Sequence, residues 1–383
     1  MATLPTPSPI ALAHSEQLKT RICQEITHAG GHISFARFME LALYTPGLGY
    51  YSAGSHKLGK HGDFVTAPEI SPLFAKCIAK QCQQIFTTLE NSSILEIGAG
   101  SGKLAHELLL ELERLQALPE KYFILEISAD LRAKQQALLR QACPHLLSRI
   151  RWLDGLPATK FRGVILANEV MDALPVHIFQ MTNSPIDERS VTEKNGELLW
   201  LNTPPPEELK KHLEDIQPLA HGYTSELNLL LTPWISSVAD TLGEGVILLF
   251  DYGYGRHEYY HPERNTGTLM CYYQHHRHTN PLILVGLQDI TAHVDFTRVA
   301  ESALDAGLNL VGYTTQAAFL LACGITESPV DETDAAAQYQ QAQEIKLLTL
   351  PSQMGEAIKV MALSKQCEIP LLGFALYDRR KDL

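Results

Sequence analysis

The sequence predicts an α/β fold with a doubly wound, mostly parallel sheet. Two patterns carry that prediction. From Ser93 on, short apolar segments alternate with amphipathic helical ones: ILEIG then KLAHELLLELERL, KYFILEI then SADLRAKQQALLRQA, followed by IRWLD, FRGVILANEV and GVILLFDYG. The apolar segments are also nearly continuous in Val, Ile, Leu and Phe, as in strands covered on both faces. Strands separated by helices pair in parallel as βαβ units, and such a sheet takes its ligands at the carboxyl ends of its strands.

Upstream, residues 15–30 (SEQLKTRICQEITHAG) predict a helix that stops at Gly30-Gly31. Ser34 stands as N-cap before a second helix, FARFMELALY. The stretch from Tyr50 to Phe74 is rich in Gly, Ser and His with few periodic apolar positions, which predicts a long functional loop; residues 73–88 return to helix. Within the core, residues 176–222 hold VHIFQM, the turn pair Asn195-Gly196 and a charged helix behind Pro204, Pro205 and Pro206: an inserted hairpin plus helix that also offers a homodimer surface. A second irregular insertion runs over 256–296. The expected division is an N-terminal helical extension with a lid loop over 1–84, the core with its insertions over 85–366, and a C-terminal tail over 367–383. The basic cluster in that tail, DRRKDL, is expected to be solvated.

The chain has 383 residues, 45% of them hydrophobic, which is ample for a large core. Its 31 basic and 43 acidic residues leave a net charge of −12, a field that repels polyphosphate and disfavours nucleic acid as a partner. Seven scattered cysteines without a C-x-x-C predict reduced thiols in a cytoplasmic enzyme. The N-terminal MATLPTPSPIALAH has no basic segment and reads as a loose tail rather than a signal peptide. The longest apolar runs, NLLLTPWI and GVILLF, are too short to span a membrane. His257, His261, His275, His276 and His278 follow no zinc spacing, so no metal is expected.

The segment ILEIGAGSGKL puts three glycines at the end of the first core strand. A phosphate loop requires G-x-x-x-x-G-K-[ST], but Ile97 stands where its first glycine belongs and Leu104 where its hydroxyl belongs. A dinucleotide fingerprint requires G-x-G-x-x-G, and Lys103 occupies the third position. What remains is an acid followed by alternating glycines: Glu96, Gly98, Gly100 and Gly102, with Ala99 between. Glycines let the chain turn tightly and a ligand approach the backbone. The next helix presents free N–H groups suited to a carboxylate, and Glu96 suits a cation. S-adenosylmethionine (SAM), an amino acid joined to a nucleoside through a sulfonium, carries both charges. Glu126 ends the second strand, where an acid accepts ribose hydroxyls, and Asp154 follows the third, where it accepts from an adenine amino group. ANEVMDALP follows the fourth strand. Acids in order at successive strand ends point to a SAM site. In the long loop, Asp63, Thr66 and Glu69 are expected in a lid that excludes water from the cofactor, with Asp63 and Thr66 on its side.

Together with those motifs, ISFARFMELALYTPGLGYY, GDFVTAPEISPLF, LEIGAGSGKLA, NEVMDALPV and QDITAHVDF resemble the MidA family of SAM-dependent methyltransferases, over roughly Ile33 to Leu363. Relatives in that family include the protein arginine methyltransferase of mitochondrial complex I assembly. The resemblance implies a class I, Rossmann-like methyltransferase core and a protein arginine as acceptor, with a respiratory-complex subunit as candidate substrate. A guanidinium, with a pKa above about 12, arrives charged and needs carboxylates to hold it flat. Glu169 and Asp172 are assigned that role, on the expectation that Asn168 to Ala173 begins a helix and sets both on one face, with Asn168 positioning cofactor or substrate. The resemblance further makes Asp289, His293 and Asp295 substrate-side, and Glu69 of the long loop is expected on the same side. Two other readings stay open: a SAM-binding assembly protein without turnover, and a methyltransferase for a small molecule.

Overall fold

The computed structural model describes residues 4–53, 65–182, 186–214, 216, 219–327, 329 and 333–383. The chain divides into two compact units, one from residues 65–170, 232–255 and 294–383 and the other from residues 1–64, 171–231 and 256–293 so far as these are described.

The first of these units carries the doubly wound sheet. Its strands are β1 (Ser93–Ile97), β2 (Tyr122–Leu125), β3 (Ile150–Leu153), β4 (Phe161–Asn168), β5 (Leu242–Tyr254), β6 (Asn309–Thr315) and β7 (Ile358–Lys365). They lie in the order β6-β7-β5-β4-β1-β2-β3, and Val294–Asp295 adds a short parallel pairing at the end of β5. β3, β2, β1, β4 and β5 run parallel, as the apolar segments predict. β7 runs antiparallel between β5 and β6. Every residue of β1 is buried, which is why it shows no alternation. Strand order reverses between β1 and β4, and the crevice beyond their carboxyl ends is where a doubly wound sheet receives a ligand.

Helices Pro72–Thr88, Lys103–Arg114 and Ala129–Ala142 follow the apolar periodicity. A chain of edge-on rings fixes the far end of the sheet: Phe74 to Phe250 at 5.3 Å, Phe250 to Phe319 at 5.2 Å and Phe319 to Phe374 at 5.7 Å. Each such pair adds about 0.5–1.5 kcal/mol beyond its buried area. The C-terminal cluster is not a solvated tail. Arg379 donates its backbone N–H to Tyr313 O (2.6 Å) and its guanidinium to Glu356 (2.9 Å) and Asp382 (2.8 Å), because carboxylates stand on both sides of it.

The other unit is built on a five-stranded antiparallel sheet: His32–Ser34, His177–Met181, Ile186–Lys194, Glu197–Thr203 and Thr224–Leu227. Asn195-Gly196 forms the expected hairpin turn, with φ of 53° and 79°. Helix Phe35–Tyr44 packs here, and Ser34 caps it by accepting from Arg37 N at 3.1 Å. The helix read as 15–30 in fact spans Pro9–His28. Pro9 occupies its first turn, where a missing N–H costs nothing, and Ser8 accepts from Ala11 N at 3.2 Å; the prolines start a helix rather than loosen a tail. The histidine-rich stretch becomes a three-stranded antiparallel sheet of Met270–Tyr273, His276–His278 and Asp289–Thr291.

Candidate functional site

Gly98, Gly100 and Gly102 all have left-handed backbones, with φ of 70°, 55° and 86°. Space is as strict as conformation. A Cβ on Gly98 would stand 2.9 Å from Val170 Cγ2, and one on Gly102 would meet Gln135 Cγ at 3.1 Å. Ala99 is buried, and its carbonyl accepts from Gly102 N at 2.9 Å, closing the turn. Helix Lys103–Arg114 begins there behind Gly102, which offers no side-chain cap, and the Ser101 hydroxyl accepts from Lys103 N at 3.3 Å.

Glu126 ends β2 and is buried. Its Oε1 accepts from Ser128 N at 2.9 Å and its Oε2 from Gln135 Nε2 at 3.1 Å. The backbone N–H groups of Gly100 and Ile127 also bear on this carboxylate, which places it against the glycine loop. Gln135 belongs to no motif of the sequence. It is fully buried, donates to Gly100 O at 2.9 Å as well as to Glu126, and accepts from Trp152 Nε1 at 3.0 Å. One side chain therefore ties together the glycine loop, the acid of β2 and the end of β3. The detectable signal was its position: Leu131, Gln135 and Leu139 lie four apart on the buried face of one helix.

Glu96 lies within β1, where its carboxylate accepts from the Tyr122 hydroxyl at 2.7 Å. Burial pushes its pKa up to about 7, with the Tyr122 hydrogen bond pulling down and the Glu126 charge adding to the rise. Burial also raises Glu126. Asp154 is placed differently from its expected adenine contact. Its side chain is 92% exposed and pairs with Arg132 at 2.5 Å, because β3 ends at Leu153 and leaves the next residue in solvent.

Thr66 sits at the N-cap of the short helix Ala67–Ile70, and Asp63 lies outside the described residues, as does most of the expected lid. Glu69, expected on the substrate side, instead spends its carboxylate on the glycine loop: it accepts from the Ser101 hydroxyl and pairs with Lys103 Nζ at 2.9 Å. The lysine that imitates a phosphate loop has a carboxylate partner.

After β4 the chain does not begin a helix. Glu169 and Val170 are irregular, and residues 171–174 form a bend and a turn. The N–H groups of Glu169 and Val170 are committed to Phe250 O (2.8 Å) and Asp251 Oδ2 (3.2 Å), and Glu169 has a φ of 52°. Glu169 and Asp172 therefore share no helical face, and they fall in different units. Asn168 Nδ2 donates to Glu169 Oε1 at 3.1 Å, while Asn168 Oδ1 is buried without a hydrogen-bond partner among the described residues. β1 pairs Ile97 with Ala167, which brings Asn168 level with Gly98.

In the other unit, Asp172 O accepts from Ala292 N at 3.0 Å, and Asp289 accepts from the Tyr51 hydroxyl at 2.9 Å. His293 N donates to Thr268 Oγ1 at 2.9 Å, and Thr268 is held in turn by the buried Glu226 carboxylate. Asp172, Asp289 and His293 are thus gathered on adjoining segments. Asp295 belongs to the sheet-bearing unit and caps helix Phe296–Asp305, accepting from Arg298 N at 3.2 Å.

The cradle fits SAM on these observations: bare left-handed backbone that a Cβ would fill, a buried acid at the end of β2, and the Asn168 Oδ1 acceptor, without a partner among the described residues, for an ammonium.

The family model of S-adenosyl-L-methionine-dependent methyltransferases matches residues 77–314. The chain belongs to that family. A Burkholderia thailandensis protein crystallised with S-adenosyl-homocysteine superposes with a TM-score of 0.96 at 41% identity, covering 100% of both chains. Among curated relatives, the zebrafish mitochondrial protein arginine methyltransferase NDUFAF7 is 28% identical over 90% of this chain and 89% of its own. The human protein of that name is 27% identical over 87% and 80%. The fold is thus that of a SAM-dependent methyltransferase, with the glycine loop and Glu126 inside the matched span.

Proposed function

We propose that this methyltransferase transfers the methyl group of SAM to an arginine of a protein substrate. SAM supplies a methyl electrophile; the chain supplies position and charge. Gly98, Gly100 and Gly102 admit the cofactor to the backbone. Glu126 accepts from its ribose, and Asn168 Oδ1 takes up its ammonium. Glu169 orients the guanidinium in a charge-assisted contact that aims one nitrogen at the methyl; as the N–C bond forms the S–C bond breaks, S-adenosyl-homocysteine leaves, and the attacked nitrogen releases one proton to solvent.

The observation that carries this reading is Glu169 itself: a half-buried carboxylate directly after β4, turned into a left-handed conformation beside Asn168. The printed names of the zebrafish and human relatives support arginine as the acceptor, and the family resemblance supports a respiratory-complex subunit as the protein. Seven free cysteines suit a reducing compartment such as the cytoplasm.

Glu169→Gln tests the assignment. It keeps the side-chain shape and removes the charge, so methyl transfer should fall by about 100-fold while S-adenosyl-homocysteine binds as before. Undiminished transfer overturns the role of Glu169. Tight cofactor binding with no transfer by the unaltered protein favours the assembly-protein reading.

A further inference from the structure

A left-handed backbone costs a non-glycine residue about 1–2 kcal/mol. Asparagine tolerates it by bonding locally; glutamate has no such excuse, so something must hold Glu169 there. The parallel ladder between β4 and β5 ends at the pair Asn168 and Phe250, and Glu169 N makes its last backbone bond to Phe250 O at 2.8 Å. One residue further the acceptor changes in kind. Val170 N donates to a side chain, Asp251 Oδ2, at 3.2 Å, while Asp251 Oδ1 accepts from Tyr252 N at 2.9 Å. Asp251 is 1% exposed. Opposite it on β7 stands the buried Lys359, whose ammonium lies 5.3 Å from the Tyr254 ring. Val170, so anchored, puts its Cγ2 within 2.9 Å of the space above Gly98.

We propose that Asp251 is a positioning residue for methyl transfer. By replacing a backbone acceptor at the end of β5, it forces the turn that makes Glu169 left-handed and presses Val170 onto the glycine loop. The acceptor carboxylate and the cofactor loop then move as one piece. This rests on the reading of Glu169 as the residue that orients the guanidinium. A ladder that simply continued would point the Glu169 carboxylate elsewhere, and a misplacement of about 1 Å can cost about 100-fold in rate.

The test compares Asp251→Ala, Asp251→Asn, Glu169→Gln and the Asp251→Ala/Glu169→Gln double variant of the full chain. The rate is labelled-methyl transfer from SAM into lysate protein of cells lacking this chain; affinity is measured by calorimetry with S-adenosyl-homocysteine. Asp251→Ala should lower the rate by about 10–100-fold with affinity changed by no more than about 3-fold. Asp251→Asn keeps one acceptor oxygen and should recover part of that loss, and it carries the test if the alanine variant does not fold. In the Glu169→Gln background, Asp251→Ala should cost nothing further, because the group it positions is already disabled. A rate equal to the unaltered protein, or the same fractional loss in both backgrounds, overturns the proposal. If Glu169→Gln alone leaves transfer intact, the acceptor assignment falls and this inference with it; if Glu169→Gln is inactive and the Asp251 variants are not, only the inference falls.

Discussion

Gln135 Nε2 lies 3.1 Å from Glu126 Oε2 and 2.9 Å from Gly100 O, so a single buried amide fixes both the acid and the glycine loop of the cofactor cradle. Gln135→Leu keeps the helix and its buried face but removes one hydrogen bond each from Glu126, Gly100 O and the Trp152 indole. The expected loss of S-adenosyl-homocysteine affinity is about 10-fold, or about 1.4 kcal/mol. Calorimetry on the two proteins measures it, and equal affinities would show that Glu126 needs no such support.

Glu169→Gly separates chemistry from backbone strain. Glycine adopts a φ of 52° freely, so the variant should unfold at a temperature a few degrees above Glu169→Ala, a difference of about 1 kcal/mol, while both lack transfer. Thermal unfolding followed by circular dichroism gives the comparison. A glycine variant that melts at or below the alanine variant removes strain from the account.

Acidity should appear in stability through Glu96. Its folded pKa of about 7 lies above the ordinary 4.5, chiefly because it is buried, so the folded state holds the proton more tightly than the unfolded one. That contribution is complete below pH 4.5 and is lost as pH rises towards 7. Glu126, raised in the same direction, adds to the decline. Glu96→Gln retains an acceptor for Tyr122 and has no proton to lose, so its melting temperature should gain on the unaltered protein between pH 5 and pH 7. Parallel melting curves across that interval contradict the assignment.

Much of the cofactor cradle was legible in the sequence, because glycines and acids at successive strand ends recur with the period of the βαβ unit. Gln135 was not, since a glutamine within a helix reads as solvated until its neighbours Leu131 and Leu139 are found to be buried. Asp251 hid in the same way, at the end of an otherwise apolar strand. The helix expected after Asn168 failed because Phe250 and Asp251, some 80 residues away in sequence, claim the N–H groups such a turn would use. Glu69 went to the glycine loop for a similar reason: its partners Ser101 and Lys103 lie more than 30 positions downstream. Local pattern reports the elements; it does not report which distant polar group takes a given hydrogen bond.

The central claim, methyl transfer to protein arginine, is tested most directly by incubating the full chain with methyl-labelled SAM and lysate protein from cells that lack it, then hydrolysing the labelled protein to amino acids. The account predicts label in methylarginine, reduced about 100-fold with Glu169→Gln. Label in another amino acid, label confined to small molecules, or no label from a protein that binds S-adenosyl-homocysteine tightly would contradict it.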